Sequence, residues 1–162
     1  MIGTPTIENI SLDLNYPSYL GRRNETIQNS GNLTVPEGTN ITWKVATSKT
    51  DAVAFISNQK RELFKSLSND NFEYSKRIQN TLRYQISSSN KNLKDFENLQ
   101  FSVDVIKDEN PLISMTSNID SISRGVAQFA GQISDDYGLR KLQLMYYDED
   151  NQNKIQSFEI QI

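Results

Sequence analysis

Four carboxylates are the residues of this sequence with the clearest capacity for chemistry. Asp108 and Glu109 lie in a charged stretch before Pro111, and Asp135 and Asp136 lie side by side before a glycine. Calcium takes about six to eight oxygen ligands from carboxylates, amides and carbonyls. If a linker and a turn met in space, these residues would supply part of such a set, so the sequence permits a calcium site.

The same carboxylates have a simpler interpretation, which we favour. Asp108 and Glu109 read as a solvated hinge between two domains. We interpret Asp135 and Asp136 as turn residues whose side chains form hydrogen bonds with the nearby backbone. We therefore assign no metal, cofactor or ligand to the chain and keep calcium at these four residues as the alternative.

The sequence contains no histidine and no cysteine. Without them, a Ser-His-Asp or Cys-His nucleophile arrangement cannot form within the chain. Thiolate and imidazole metal sites and disulfides are also excluded. We expect no enzyme active site and name no catalytic residue.

Five aromatic residues raise the possibility of a stacking platform for glycans: Tyr16, Tyr19, Trp43, Tyr146 and Tyr147. The alternation of side chains along a strand argues against it, since Trp43 and Tyr16 are in phase with apolar neighbours and should point inward. Tyr146 and Tyr147 are adjacent, so we predict that only one of them is exposed. For Tyr84 we predict a structural role, with its hydroxyl tied back to the backbone.

The composition is that of a folded chain with a mixed surface. Of 162 residues, 36% are hydrophobic, and 17 basic against 20 acidic residues give a net charge of −3. No apolar run approaches the roughly 20 residues of a membrane-spanning helix, and no signal peptide is recognisable at the start. The even spread of charge makes nucleic acid an unexpected partner.

The elements that must position these residues are mostly strands, because apolar and polar residues alternate nearly throughout. Lys60–Leu67 is predicted as one strand with a bend, Gly21–Gly31 as a long connection, and Leu93–Phe96 as a single helical turn at most. The other strands of the first domain are predicted at residues 10–16, 33–35, 41–45, 52–56, 72–74, 82–86 and 99–105.

Lys107–Pro111 is the predicted boundary, because Pro111 cannot donate to a continuing ladder and holds the residue before it extended. We place one domain at residues 4–109 and a second at 110–162. In the second, strands are predicted at 112–117, 126–133, 139–147 and 155–162. Between them lie turns at 121–125 and 135–138 and a loop at 148–153.

The second domain contains about half the strands of a sandwich of ~100 residues. The sequence therefore reads as one complete module and the first part of another, from a longer polypeptide. Such a segment leaves an apolar face and strand edges uncovered. We expect residues 112–162 to be covered by the first domain or completed by another copy, which would allow self-association.

Three tracts carry a resemblance to a known family: Tyr16-Pro17-Ser18-Tyr19, Gly31 to Thr39 followed by Trp43, and Phe129 to Leu139 with its Asp-Asp-Tyr-Gly-Leu sequence. They resemble the DUF4175 family of large Bacteroidota proteins. The resemblance covers nearly the whole chain as an internal slice of a longer protein. It implies tandem Ig-like domains, an N-terminal membrane anchor outside this chain, and a location in the periplasm or cell envelope.

The fold that follows is all-β, an antiparallel Ig-like β-sandwich followed by a partial second β-sandwich. The expected function is a non-catalytic spacer or interaction module of an extracytoplasmic protein. Its partners would be proteins or other domains of the parent chain, with the membrane reached only through parts absent here. The alternative is a ligand-binding module for calcium at the domain junction or for glycan.

Overall fold

The structure is a computed structural model that describes residues 3–118, 126–136, 138–148 and 150–162. Apart from one 3-10 turn at Ser18–Leu20, the regular structure in these ranges is β-strand, so the prediction of an all-β chain is confirmed. In the same ranges, no helix is long and apolar enough to cross a membrane. The strands are β1 (Thr6–Asn15), β2 (Glu25–Gln28), β3 (Leu33–Pro36), β4 (Asn40–Ser48), β5 (Ala52–Ser57), β6 (Lys60–Leu63), β7 (Lys65–Ser68), β8 (Asn71–Arg77), β9 (Leu82–Ser89), β10 (Glu97–Ile106), β11 (Leu112–Asn118), β12 (Gln128–Ser134), β13 (Leu142–Asp148) and β14 (Asn151–Ile160).

The chain divides into two compact units, Met1–Lys107 and Asp108–Ile162. The division lies close to the boundary predicted between residues 109 and 110. Within the described ranges, the first unit holds ten strands, β1 to β10, and the second unit holds β11 to β14.

Two five-stranded sheets form the first unit. One has the strand order β2-β1-β4-β8-β7, and the other has the order β3-β10-β9-β5-β6. Neighbouring strands are antiparallel except β3 and β10, which run parallel, with Leu33 opposite Val103 and Val35 opposite Val105. The prediction of an antiparallel β-sandwich is confirmed for this unit.

The core lies between the two sheets and follows from the alternation in the sequence. On the first sheet Leu12 of β1 is opposite Trp43 of β4, so inward residues of one strand meet inward residues of the next. Trp43 packs across the gap on Phe55 of β5, with ring centroids 5.0 Å apart. The largest fully buried side chains are Trp43, Tyr84, Phe55, Leu12, Leu14, Ile41, Ile78, Ile86, Val35, Val45, Val53 and Val103.

The segment predicted as one bent strand is two strands in different sheets. β6 pairs with β5 at the edge of the second sheet, and β7 pairs with β8 at the edge of the first. Phe64 lies between them, buried, and its backbone N–H donates to the Val53 carbonyl at 2.9 Å. The bend is therefore the crossing from one sheet to the other, and the buried phenylalanine closes that side of the sandwich.

Some strand and turn boundaries differ from the predicted ones, because the alternation of apolar and polar residues does not determine them. The predicted connection at residues 21–31 contains β2, whose mostly polar residues pair with β1 from Ser11 to Leu14. Leu93–Phe96 forms no helical turn. Its loop is held instead by the Asn90 Oδ1, which accepts from the backbone N–H groups of Asn92 and Leu93. The turn predicted at residues 121–125 lies outside the described residues.

In the residues that the structure describes, the second unit forms two β-hairpins, each with one mainly apolar face. In β11–β12, Ile113 is opposite Ile133 and Met115 is opposite Gly131. In β13–β14, Leu142 is opposite Ile160 and Leu144 is opposite Phe158. The last strand begins at Asn151, earlier than predicted, because the ladder already pairs Asp148 with Asn151.

Candidate functional site

The centre of the first unit holds a hydrogen-bonded pair of aromatic side chains. Trp43 of β4 and Tyr84 of β9 come from opposite sheets, and their ring centroids are 5.5 Å apart. The Trp43 Nε1–H donates to the Tyr84 hydroxyl at 2.9 Å, and this hydroxyl donates to the Gly31 carbonyl at 2.6 Å. The three residues thus join both sheets to the connection between β2 and β3.

The role predicted for Tyr84 is confirmed, with a different acceptor. In the usual tyrosine corner the hydroxyl reaches backbone a few residues upstream. Here the acceptor, Gly31, lies 53 residues upstream. Burial raises the pKa of the Tyr84 hydroxyl to about 12, and the hydrogen bond from Trp43 opposes part of that rise. The hydroxyl is therefore neutral at ordinary pH, and its two hydrogen bonds join Trp43 to the Gly31 carbonyl.

Gly31 is a glycine because Phe101 occupies the space of its missing side chain. A Cβ at residue 31 would lie 2.4 Å from Cγ of the Phe101 ring. That ring in turn packs on Tyr84, with centroids 5.6 Å apart. This close approach of the backbone to the Phe101 ring brings the Gly31 carbonyl within reach of the Tyr84 hydroxyl. The sequence analysis did not identify Gly31 as a structurally important residue.

One polar cluster on the surface joins β6 to β8 where the two sheets come together. The Tyr74 hydroxyl donates to Glu62 Oε2 at 2.6 Å, and Lys76 Nζ donates to the same oxygen at 3.1 Å. The hydrogen bond from Tyr74, followed by that from Lys76, holds the pKa of the Glu62 carboxyl below its usual value. The carboxylate is thereby kept ionised and occupied by structural partners.

A second cluster fastens the loop after β9. Arg61 of β6 donates two hydrogen bonds to the Asp95 carboxylate, at 3.0 and 2.7 Å. Ser87 donates a third, at 2.8 Å, to one of the same oxygens. Arg61 is the main cause that lowers the pKa of Asp95. Asp95 itself has a φ of 49°, a left-handed conformation that aspartate tolerates better than most residues.

A polar cleft of about 730 Å³ lies at one end of the first unit. Three connections line it, those after β4, between β7 and β8, and after β9. The Asn90 amide organises it by donating to the carbonyls of Gly3 at 2.8 Å and Lys49 at 3.2 Å. Asp51 accepts from the Lys91 backbone N–H at 3.0 Å. Amides, hydroxyls and charges of both signs give the cleft the means to hydrogen-bond a polar partner.

The four carboxylates proposed for calcium lie in the second unit. Asp108 and Glu109 are exposed in the stretch between β10 and β11, and Asp135 and Asp136 follow directly after β12. In the described part of the chain, no group of three or more acidic side chains is placed to hold a metal ion. The turn predicted at 135–138 includes Tyr137, which lies outside that part.

We expect millimolar calcium to leave the melting temperature within about 1 °C of its value in EDTA, because adjacent carboxylates alone supply too few ligands. Differential scanning calorimetry of the 162-residue chain measures this. The matched control is the double variant Asp108→Asn with Asp135→Asn. A rise of several degrees that this variant abolishes would contradict the expectation and establish the calcium alternative.

The five aromatic residues divide between the core and the surface. Trp43 and Tyr16 are buried, as predicted, whereas Tyr19 is exposed. The prediction that only one of Tyr146 and Tyr147 is exposed is wrong, since they are 50% and 59% exposed. Adjacent strand residues do point to opposite faces, but neither face of this hairpin is covered at these positions.

A smaller, apolar cavity of about 230 Å³ lies within the second unit, between its two hairpins. The apolar faces of both hairpins contribute to it. Its lining includes Ile113, Met115, Phe129, Ile133, Leu142, Leu144 and Ile160. The two faces therefore share a gap that is lined mainly by apolar side chains.

Comparison with known families gives one result. The model of the family described as "Domain of unknown function (DUF4175)" matches residues 10–159, which is well over half of the chain. Comparisons with curated proteins and with solved structures gave no match. The chain therefore belongs to the DUF4175 family.

Proposed function

We propose that this chain is a non-catalytic structural and interaction module, a tandem Ig-like spacer in a membrane-anchored extracytoplasmic protein. Its partners are proteins or other domains of the parent chain. The observation that carries the proposal is the strand order of the first unit. The location in the periplasm or cell envelope rests on the family resemblance alone.

The strand order supports the Ig-like assignment sheet by sheet. An Ig-type sandwich has strands A, B, E and D in one sheet and G, F and C in the other. In the first unit, β1-β4-β8-β7 takes the place of A-B-E-D, and β10-β9-β5 takes that of G-F-C. The buried tryptophan, which antibody domains carry on strand C, here stands on β4 in the place of strand B.

A structural role is further supported by what the polar side chains of the first unit do. The surface ion pairs of Lys44 with Asp13, Arg61 with Asp95 and Lys76 with Glu62 fasten neighbouring strands or loops. The buried pair, Trp43 and Tyr84, is satisfied internally. In each case the partner of the polar group is another part of the same sandwich.

The end of the first unit is built to resist tension, as a spacer requires. β10 is held to β3 by their parallel ladder, and the Glu37 backbone N–H donates to the Ile106 carbonyl at 2.8 Å. Beyond it, Lys107 Nζ donates to Glu37 at 3.0 Å, the Gln79 carbonyl at 2.6 Å and Asn80 at 2.9 Å. A pull on the chain after Lys107 must break these bonds together.

Single-molecule pulling tests this function. Attached at Thr4 and Asn110, the first unit is expected to unfold in one step that lengthens the chain by somewhat less than ~35 nm, the extended length of these residues minus the folded distance between the two attachment points. Lys107→Met should lower the unfolding force, and Lys65→Met, on the distant strand β7, should not. Gradual extension without a single step would contradict a spacer that carries tension.

A further inference from the structure

An open cleft of about 660 Å³ lies against the sheet β3-β10-β9-β5-β6 of the first unit. Tyr84 of β9 is buried in the core, so Arg83 and Gln85 on either side of it belong to the outer face of that sheet. Across the ladder, Arg83 is opposite Ser102 of β10, and Gln85 is opposite Gln100. Side chains of neighbouring strands therefore stand next to one another along this outer-face cleft.

Side-chain amides are the prevailing polar group of the outer-face cleft. Five of its lining residues carry one: Asn32, Asn58, Gln59, Gln85 and Gln100. Asn58 and Gln59 join β5 to β6, and their φ angles of 48° and 64° are both positive, as a type I′ hairpin turn requires. Ile56, just before this turn, is opposite Gln85 and adds an apolar surface beside the amides.

These polar groups have unused hydrogen-bonding capacity within the part of the chain that the structure describes. Asn32 Oδ1 accepts from the Ser102 backbone N–H at 2.8 Å, and its amide NH₂ has no partner among the described residues. The same holds for the side-chain amides of Gln85 and Gln100 and for the Arg83 guanidinium. The ion-paired cations of the first unit, by contrast, are occupied by acidic residues of the same sandwich.

The charge of the outer-face cleft has one sign. Among its described lining residues, Arg83 is the charged side chain, and no carboxylate lies with it. A guanidinium binds a carboxylate through two parallel hydrogen bonds. A side-chain amide both donates and accepts, which suits the hydroxyl groups of a sugar. The volume of the cleft also falls within the roughly 300–1,000 Å³ of small-ligand sites.

We propose that the outer-face cleft binds a short acidic oligosaccharide, with a sugar carboxylate on Arg83 and sugar hydroxyl groups on the surrounding amides. A protein partner fits less well, because protein interfaces are centred on accessible aromatic anchors. The two aromatic residues of the described lining, Tyr84 and Phe101, pack on each other, and Tyr84 is buried. This binding site goes beyond the spacer function and does not depend on it.

The test is isothermal titration calorimetry of the full 162-residue chain with three acidic saccharides, namely trigalacturonate, a hyaluronan tetrasaccharide and sialyllactose. We expect at least one of them to bind with a dissociation constant below about 1 mM. The methyl ester of the bound saccharide keeps its hydroxyl groups and loses its carboxylate charge. It should therefore bind at least about tenfold more weakly.

Three variants assign the binding to the outer-face cleft. Arg83→Met should weaken it at least about tenfold, and Gln100→Ala about three- to tenfold, because each removes one of the proposed contacts. The matched control is Lys65→Met on β7, an edge strand of the opposite sheet, which should change binding by less than about twofold. Near-ultraviolet circular dichroism of Trp43, the only tryptophan, reports that the first unit stays folded in each variant.

Three results would overturn the oligosaccharide site. The first is the absence of binding by all three saccharides up to about 10 mM. The second is an equal loss of binding in Arg83→Met and Lys65→Met, which would indicate attraction by overall charge. The third is tighter binding of a hexaglutamate peptide than of every saccharide, which would identify an acidic protein segment as the ligand. None of these results bears on the force needed to unfold the first unit, so the spacer function is tested separately.

Discussion

Trp43→Ala is expected to lower the free energy of unfolding of the first unit by about 3–5 kcal/mol, the usual loss when a large buried aromatic side chain is truncated. Trp43 is fully buried and packs on rings from both sheets, with centroids 5.0 Å from Phe55 and 5.9 Å from Tyr74. Its removal leaves a cavity between the sheets and deprives the Tyr84 hydroxyl of its donor. Urea unfolding followed by far-ultraviolet circular dichroism measures the loss without relying on tryptophan fluorescence.

The control for this variant is Leu67→Ala on edge strand β7, where the side chain is 54% exposed. We expect a change of less than about 0.5 kcal/mol there, since truncation in water leaves no cavity. If Trp43→Ala cost less than about 1 kcal/mol, the sandwich would not be packed around this residue.

Tyr84→Phe is expected to cost about 2–4 kcal/mol, although it removes a single oxygen atom. The change leaves two buried groups without a partner, the Trp43 Nε1–H and the Gly31 carbonyl. The matched control is Tyr74→Phe, whose hydroxyl bonds the exposed Glu62 carboxylate and should cost less than about 1 kcal/mol. Equal costs for the two variants would contradict the central role of the Trp43–Tyr84–Gly31 connection.

The pH dependence of the free energy of unfolding gives a second test of Tyr84→Phe. The pKa of Tyr84 is raised from 10.0 to about 12 in the folded state, with burial as the main cause. The neutral hydroxyl therefore stabilises the fold fully below pH 10, and that stabilisation is lost as the pH rises from 10 through about 12. We expect alkaline unfolding to be less steep in Tyr84→Phe than in the unmodified chain over this range.

The sequence predicted the centre of the fold better than its edges. Where one face of a strand is buried, as for Leu12 and Trp43, the alternation of side chains is strong enough to give strand, phase and burial together. β2 escaped prediction because an edge strand with mostly polar residues carries no such pattern. The crossing between the sheets at Phe64 was not predicted. A single buried residue gives the same sequence pattern in a bent strand as between two strands of different sheets.

The candidate sites were predictable only where they depend on local pattern. That Tyr84 would be tied to backbone followed from the expected fold, but its acceptor, Gly31, is distant in sequence and is placed by the steric fit against Phe101. The polar cleft depends on three loops that meet at one end of the first unit, and no local pattern in the sequence indicates that these loops come together. Tyr146 and Tyr147 do point to opposite faces of their strand, as the alternation of side chains predicts. The further assumption that one of these faces is covered was wrong.

The pairing of β3 with β10 has a consequence for synthesis of the protein. Asn32, just before β3, accepts a hydrogen bond from the backbone of Ser102 on β10, 70 residues later. At about 5–20 residues per second, a ribosome takes roughly 4–14 s to make the intervening chain. Throughout that time Val35 has no partner strand, so the nascent first unit must wait with an unfinished sheet. Slow decoding or a pause before Ile106 would lengthen its exposure to chaperones and proteases.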